Sequence, residues 1–396
     1  MSTTRPHPLI DGFVRPGFES VQEAFTENFV RRGELGAACA VYRNGEPIVD
    51  LWGGLRDRTS GQPWQRDTMV LVYSTTKGLS AMALAVAHSR GWLDYDERVA
   101  AYWPEFAQAG KEAITVRQLL AHQAGLFAFD EPVDRSVVAD PDRLASVMAR
   151  QRPAWPAGER QAYHAISLGF YESEIIRRVD PRHRTIGQLF ADEIASPLQL
   201  DAYIRLPQSI PDDRLAPLAA PSMWRMLTGM PVALLFDAFN RRSVMYRAMM
   251  VNPGTQLPMD ADRVYARDLE VPSGGGVATA RGIAGAYGAF AAGGAALGLR
   301  RETLAALEAP AVPPARGFRD ACIHSEVQFS LGFMRATATF PFGSPRAYGA
   351  PGAGGSLGFA DPETGIGYGY VTNQMGTKLN GDPRDAAIRR SLAVCL

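Results

Sequence analysis

Two residues in the first quarter of the chain have types and spacing suited to making a nucleophile. In Ser74-Thr75-Thr76-Lys77 a hydroxyl and an amine stand three positions apart, so on a helix they share a face and can touch. A serine hydroxyl attacks poorly at neutral pH unless a neighbour takes its proton. A lysine can do so if its pKa falls from about 10.4 toward 7 or 8, a preference for the neutral amine of about 4 kcal/mol. Burial among apolar side chains acts in that direction, and the positive end of a helix dipole adds to it. The bland alternative makes Ser74 a helix cap and Lys77 a solvated first-turn residue. Against it stands the scarcity of lysine: Lys77, Lys111 and Lys378 are the only three, every other basic residue being arginine. An ammonium can lose its proton where a guanidinium cannot.

Two further segments could complete such a site. Tyr163, in PAWPAGERQAYHAIS, follows a Pro/Gly loop and opens a helical stretch. Its phenol could pass a proton between nucleophile and leaving group, or it could be a half-buried packing residue. His164 beside it is a weaker candidate for the base, since sequence neighbours rarely share a face. The run Ala350-Pro351-Gly352-Ala353-Gly354-Gly355 places small residues on a strand edge. There a substrate carbonyl could approach backbone N–H groups serving as an oxyanion hole; a glycine-rich hairpin without a ligand is the alternative.

The elements that must position these residues follow from periodicity. Residues 17 to 32 show helical spacing through Phe18, Val21, Phe25 and Phe29. ACAVYRNGEPIVDLWGG carries two strand-like runs about Asn44-Gly45, a dipeptide suited to a tight hairpin. Residues 74 to 90 are apolar nearly all round, as expected of a buried central helix. Residues 115 to 122 and 168 to 200 read as helical, the second broken near Asp180-Pro181. A helix is expected at 279 to 292 and a last one from 384 to 394, with strands in VQFSLGFM, RATATF and IGYGYVTNQ. Strands at both chain ends around a helical middle predict one sheet built from both termini: an α/β part from residues 1–75 and 265–396, and a mainly helical part from 76–264. Within the latter, residues 223–250 are rich in Met, Phe and Leu and are expected to form an apolar wall or flap for the substrate.

Composition removes several function classes. The 396 residues hold 41 acidic and 41 basic side chains, so no net field favours nucleic acid or an anionic membrane. Cys39, Cys322 and Cys395 lie far apart without metal-ligand spacing, and their odd number argues against a full disulfide framework. No apolar run has the length of a signal peptide or of a spanning helix, so the expected location is the cytoplasm.

Taken in order, Ser74-Thr75-Thr76-Lys77, the Tyr163 motif and the late glycine-rich strand resemble the three motifs of class C β-lactamases and the related family VIII carboxylesterases. LLAHQAGL at 119–126, ASPLQLDAY at 195–203 and GAGGSLGFADPETGIGYGYVTN at 352–373 extend the resemblance over most of residues 35–375. It implies an antiparallel sheet flanked by helices plus a helical domain, with the active site between them. By the same resemblance Ser74 is the nucleophile and Lys77 the base, assisted by Tyr163. The N–H groups of Ser74 and Ala353 form the oxyanion hole, and neither metal nor cofactor is needed. The sequence departs from the β-lactamase pattern twice. Tyr163-His164-Ala165 replaces Tyr-x-Asn, and Ala350 stands where a lysine or histidine usually opens the third motif. Both changes favour a small-molecule ester over an antibiotic, and a carboxylesterase over a β-lactamase or D-alanyl-D-alanine peptidase; an acyltransferase, passing the acyl group to an alcohol in place of water, stays open as an alternative. An inert binding or assembly homologue is the non-enzymatic alternative, disfavoured because Ser74, Lys77 and Tyr163 are all present.

Overall fold

The computed structural model describes residues 9–221, 232–250, 267–378 and 381–396. Its centre is an eight-stranded antiparallel sheet. In chain order the strands of the molecule are β1 (Ile10–Val14), β2 (Gly36–Arg43), β3 (Glu46–Gly54), β4 (Val70–Leu71), β5 (Ala202–Tyr203), β6 (Val277–Ala278), β7 (Phe329–Ser330), β8 (Phe333–Arg335), β9 (Tyr348–Pro351), β10 (Leu357–Asp361) and β11 (Ile366–Thr372). The large sheet runs β1-β3-β2-β11-β10-β9-β8-β7. N-terminal and C-terminal strands therefore meet at the β2–β11 pair, where Cys39 lies opposite Tyr370. A small second sheet, β4-β6-β5, ties together segments that the sequence places far apart.

The Gly-Tyr alternation of β11 explains how the sheet is clothed. Side chains of a strand point alternately to its two faces. Tyr368 and Tyr370 join the core beneath the helices Glu19–Arg31 and Pro383–Cys395, with Phe25, Phe359 and Ile388. Gly367 and Gly369 face the helix Ala280–Ala291, where an added Cβ would lie 2.1 Å from the nitrogen of Gly288 and 2.3 Å from the carbonyl oxygen of Ala280. The helix backbone thus rides directly on the strand.

The hairpin at Asn44-Gly45, the helix Thr75–Ser89 and the helix ending at Asp180 fall where periodicity placed them. The C-terminal strands differ. VQFSLGFM is two strands, because Leu331 and Gly332 both adopt positive φ (51° and 86°) and turn β7 back onto β8. RATATF contributes only Arg335 to a strand, and Thr337 and Phe340 close a hydrogen-bonded turn instead. Positive φ at two successive residues is the conformation of a tight hairpin, which overrides the β propensity of the flanking residues.

Lys111, the second of the scarce lysines, is fully buried, and its Nζ donates to the carbonyls of Gln108 (2.9 Å), Ala149 (2.7 Å) and Gln151 (2.7 Å). A compact ammonium with three donors fits this cage, and a planar guanidinium does not. Lys111→Met would orphan the carbonyls of Ala149 and Gln151, that of Gln108 keeping the backbone N–H of residue 111 (3.2 Å), and should lower unfolding free energy by about 2 to 4 kcal/mol, read as a drop in Tm and denaturation midpoint. A loss below about 0.5 kcal/mol would show that the cage contributes nothing.

Candidate active site

The segment that carries Ser74 is bent before it becomes a helix. Tyr73 is buried with φ of 46°, a left-handed conformation uncommon for a non-glycine residue. The Thr76 hydroxyl holds it by donating to the Tyr73 carbonyl (2.5 Å) while accepting from the Gly276 N–H (2.9 Å). Ser74 occupies the N-cap position of Thr75–Ser89, yet its side chain makes no capping hydrogen bond. Its hydroxyl is released from the structural role that its position would suggest, and it meets two other groups.

Tyr163 Oη donates to Ser74 Oγ at 2.7 Å, and Lys77 Nζ lies 3.4 Å from the same oxygen. Lys77 is buried to 3% exposure. Its Nζ also donates to the carbonyls of Ala165 (2.7 Å) and Ser273 (2.8 Å). Desolvation lowers its pKa to about 7, against the opposing pull of the Glu172 carboxyl and a smaller one from Cys322. A neutral amine has two N–H groups, which the two carbonyls take, and its lone pair is left for Ser74. Burial pushes the Tyr163 phenol well up, overcoming the hydrogen bond to Ser74. Tyr163 therefore stays protonated and can relay a proton, whereas Lys77 is the group able to accept one near neutral pH.

These atoms open on a cavity of about 120 Å³, lined by Tyr73, Ser74, Lys77, His122, Tyr163, Ala165, Ile166, Met249, Ser273, Gly274, Ile323, Phe329, Gly332, Met334, Ala350, Pro351 and Ala353. Away from the reacting groups the walls are mostly aliphatic, aromatic or thioether, and among the described residues no arginine or carboxylate lines them. Met249 comes from the helix Val244–Met250, so the segment expected to supply an apolar wall contributes at least this side chain; its residues 223–231 lie outside the described ones. Arg247 of the same helix pairs with Asp130 at 2.8 Å.

The sites read from the third motif divide. Ala353 lines the cavity, and neither its N–H nor that of Ser74 has a hydrogen-bond acceptor among the described residues. Ala350 also lines it, its methyl packed toward Gly78 on the helix. Gly352 does not. Its N–H donates to the Ser356 carbonyl (2.8 Å), and a Cβ there would sit 2.2 Å from both Ser356 Oγ and the Val72 carbonyl. It is glycine because β9 must pass against the start of the nucleophile's segment, which corrects its expected contact with substrate.

His164 is likewise corrected. It is fully buried, its Nδ1 is 2.6 Å from the Ala162 carbonyl and its Nε2 accepts from the Leu126 N–H at 3.1 Å. Desolvation lowers its pKa to about 4. Both nitrogens are committed to backbone, so it shapes the loop rather than touching substrate. Ala165 lines the cavity and serves through its carbonyl. His122, which sequence reading passed over inside LLAHQAGL, packs its ring 5.1 Å from that of Tyr163, and its Nδ1 accepts the His164 N–H at 2.9 Å.

The beta-lactamase family model matches residues 21–393. The chain belongs to this family. Within the beta-lactamase family it is 33% identical to the esterase/beta-lactamase LipL of Mycobacterium tuberculosis over 372 residues, spanning 92% of this chain and 83% of that one. A solved family VIII carboxylesterase superposes with a TM-score of 0.86 at 37% identity, covering 98% of this chain and all of that one. A penicillin-binding-protein homolog from Caulobacter crescentus gives 0.86 at 36% over the same shares. As a beta-lactamase family member with this fold, the protein is a serine hydrolase of the beta-lactamase/esterase superfamily.

Proposed function

We propose that the protein is a carboxylesterase that cleaves neutral esters of small to medium acyl groups through an acyl-enzyme on Ser74. The observation that carries this reading is the meeting of Tyr163 Oη and Lys77 Nζ at Ser74 Oγ at the mouth of a mainly apolar cavity. Ser74 Oγ attacks the ester carbonyl as its proton passes to the Lys77 amine. The carbonyl π pair moves onto oxygen, where the unpaired N–H groups of Ser74 and Ala353 receive it. Collapse breaks the bond to the alcohol, whose oxygen takes the proton from Lys77 by way of Tyr163. Water then repeats the sequence in the opposite sense, giving its proton to Lys77 and releasing the acid from Ser74. The relatives support the class of reaction, two of them being described as an esterase/beta-lactamase and a carboxylesterase.

The cavity's chemistry separates this from a β-lactamase reading. A β-lactam substrate carries a carboxylate, and Ala350 and Ala165 offer it a methyl and a methyl. Loss of one charge-assisted hydrogen bond costs about 1.5 to 3 kcal/mol, roughly 10- to 150-fold in recognition. A chain-length series of p-nitrophenyl esters run beside nitrocefin is the decisive experiment. The kcat/KM for p-nitrophenyl butyrate should exceed that for nitrocefin by at least about 100-fold, with nitrocefin acting mainly as a slow acylating agent. A ratio near one would overturn the esterase assignment.

A further inference from the structure

Among the described residues near the site, Glu172 is the carboxyl with neither oxygen hydrogen-bonded. It lies on the helix Ser167–Val179, which packs against Thr75–Ser89, and it is fully buried. Both of its carboxyl oxygens lack a hydrogen-bond partner among the described residues. Glu174, two positions on, shows what an ordinary structural glutamate does in this helix: it binds Arg177 and Arg178, each at 2.7 Å. Among the described residues no arginine reaches Glu172.

Its carboxyl sits just behind the cavity wall. A Cβ built on Gly332, a wall residue, would lie 3.3 Å from Glu172 Oε1 and 2.7 Å from the Ala81 methyl. Ala81 follows Lys77 by one helical turn on the same face. Glu172 therefore stands against the wall one helical turn behind the lysine, where glycine at 332 permits the close approach.

We propose that Glu172 is a positioning residue whose proton decides whether Lys77 is a free amine or is held as an ammonium. This rests on the reading of Lys77 as the base. The pair carries either two exchangeable protons, as ammonium and carboxylic acid, or one, or none. With one proton it is either the ion pair, which cannot take the proton of Ser74, or amine plus carboxylic acid, which can. Burial opposes both charges, raising the Glu172 pKa and lowering that of Lys77, while the attraction between carboxylate and ammonium pulls the pair back toward the ionised form. Among the described residues, the remaining titratable groups facing Lys77 stay neutral through this range. Tyr163 and Cys322 are shifted up, and His122 and His164 are shifted down, in each case chiefly by burial. Glu172 is left as the charge that can change.

The sign follows. A carboxylate beside Lys77 raises the lysine pKa, so removing it must move the loss of activity on acidification to lower pH. The scarcity of lysine makes a direct measurement feasible. With lysine labelled at 13Cε, only Lys77, Lys111 and Lys378 report, and Lys77 is assigned by its absence in Lys77→Arg. The Lys77 titration in Glu172→Gln and Glu172→Met should lie about one pH unit below that of the wild type. Glu172→Asp, which keeps a carboxyl, should lie between. The acid limb of kcat/KM should shift with it, with the plateau changed less than about threefold. A Lys77 titration unmoved in both carboxyl-free variants overturns the proposal. A titration that moves while the acid limb does not would leave Glu172 coupled to Lys77 and would instead refute Lys77 as the base.

Discussion

Lys77→Arg should reduce ester turnover by on the order of 1,000-fold or more, and Ser74→Ala should remove it to background. Arginine keeps the charge and the reach but does not lose its proton, so Ser74 would face a permanent cation where an acceptor is needed. The substitution also tests the geometry. The two carbonyls of Ala165 and Ser273 bind Lys77 Nζ at 2.7 and 2.8 Å, and a guanidinium can still satisfy them. Folding should therefore survive, as Tm and circular dichroism would show, while the rate is lost. Near-normal turnover of p-nitrophenyl butyrate by a folded Lys77→Arg protein would remove lysine from the base's role. Labelling by a fluorophosphonate, expected in the wild type and absent in Ser74→Ala, distinguishes an enzyme from an inert homologue.

Tyr163→Phe should cost about 100- to 10,000-fold in kcat, the usual range for a group that relays a proton in the transition state. KM should move little, because the ring stays. It stacks on Phe329 with centroids 5.8 Å apart and lies 4.8 Å from Lys77 Nζ, contacts that phenylalanine reproduces. What is lost is the hydrogen bond to Ser74 Oγ and the route from Lys77 to the departing oxygen. A loss below about threefold would reduce Tyr163 to a packing residue.

The parts of this site that could be read from the sequence are those whose meaning is local. Ser74 and Lys77 are joined by helical spacing alone, and Tyr163 announces itself by following a Pro/Gly loop, although the helix expected to open there begins only at Ser167. Ser273, Glu172, Gly332 and Met249 carry no such signal. Each reaches the site from a distant segment, and only packing shows that a carbonyl, a carboxyl, a bare Cα or a thioether faces it. His164 and Gly352 illustrate the reverse error. Their types suit chemistry, but the histidine nitrogens are taken up by backbone and the glycine is needed for close approach. The same division runs through the fold. The helices Glu19–Arg31, Thr75–Ser89 and Ala280–Ala291 follow their apolar periodicity, whereas β1, β9 and β10 and the two-residue strands of the small sheet depend on partners elsewhere in the chain. Lys77 is buried beside Ser74 with its pKa lowered, the environment its reading as a base requires, and Lys111 shows a second reason for choosing lysine: three donors on a small charge.

The pairing of β2 with β11 has a consequence for how the molecule is made. Arg43 lies opposite Ile366, about 320 residues later in synthesis, and at roughly 5 to 20 residues per second that interval lasts about 16 to 64 seconds. Throughout it the β1-β3-β2 meander has emerged from the ribosome with the pairing edge of β2 unfilled. An unpaired edge of this kind, bearing Cys39 and Val41, is a template for pairing with other nascent chains. Slowing synthesis should therefore not help this protein to fold. Holdase chaperones that cover the N-terminal meander should raise its soluble yield, and the final sheet closes only after the last strand is released.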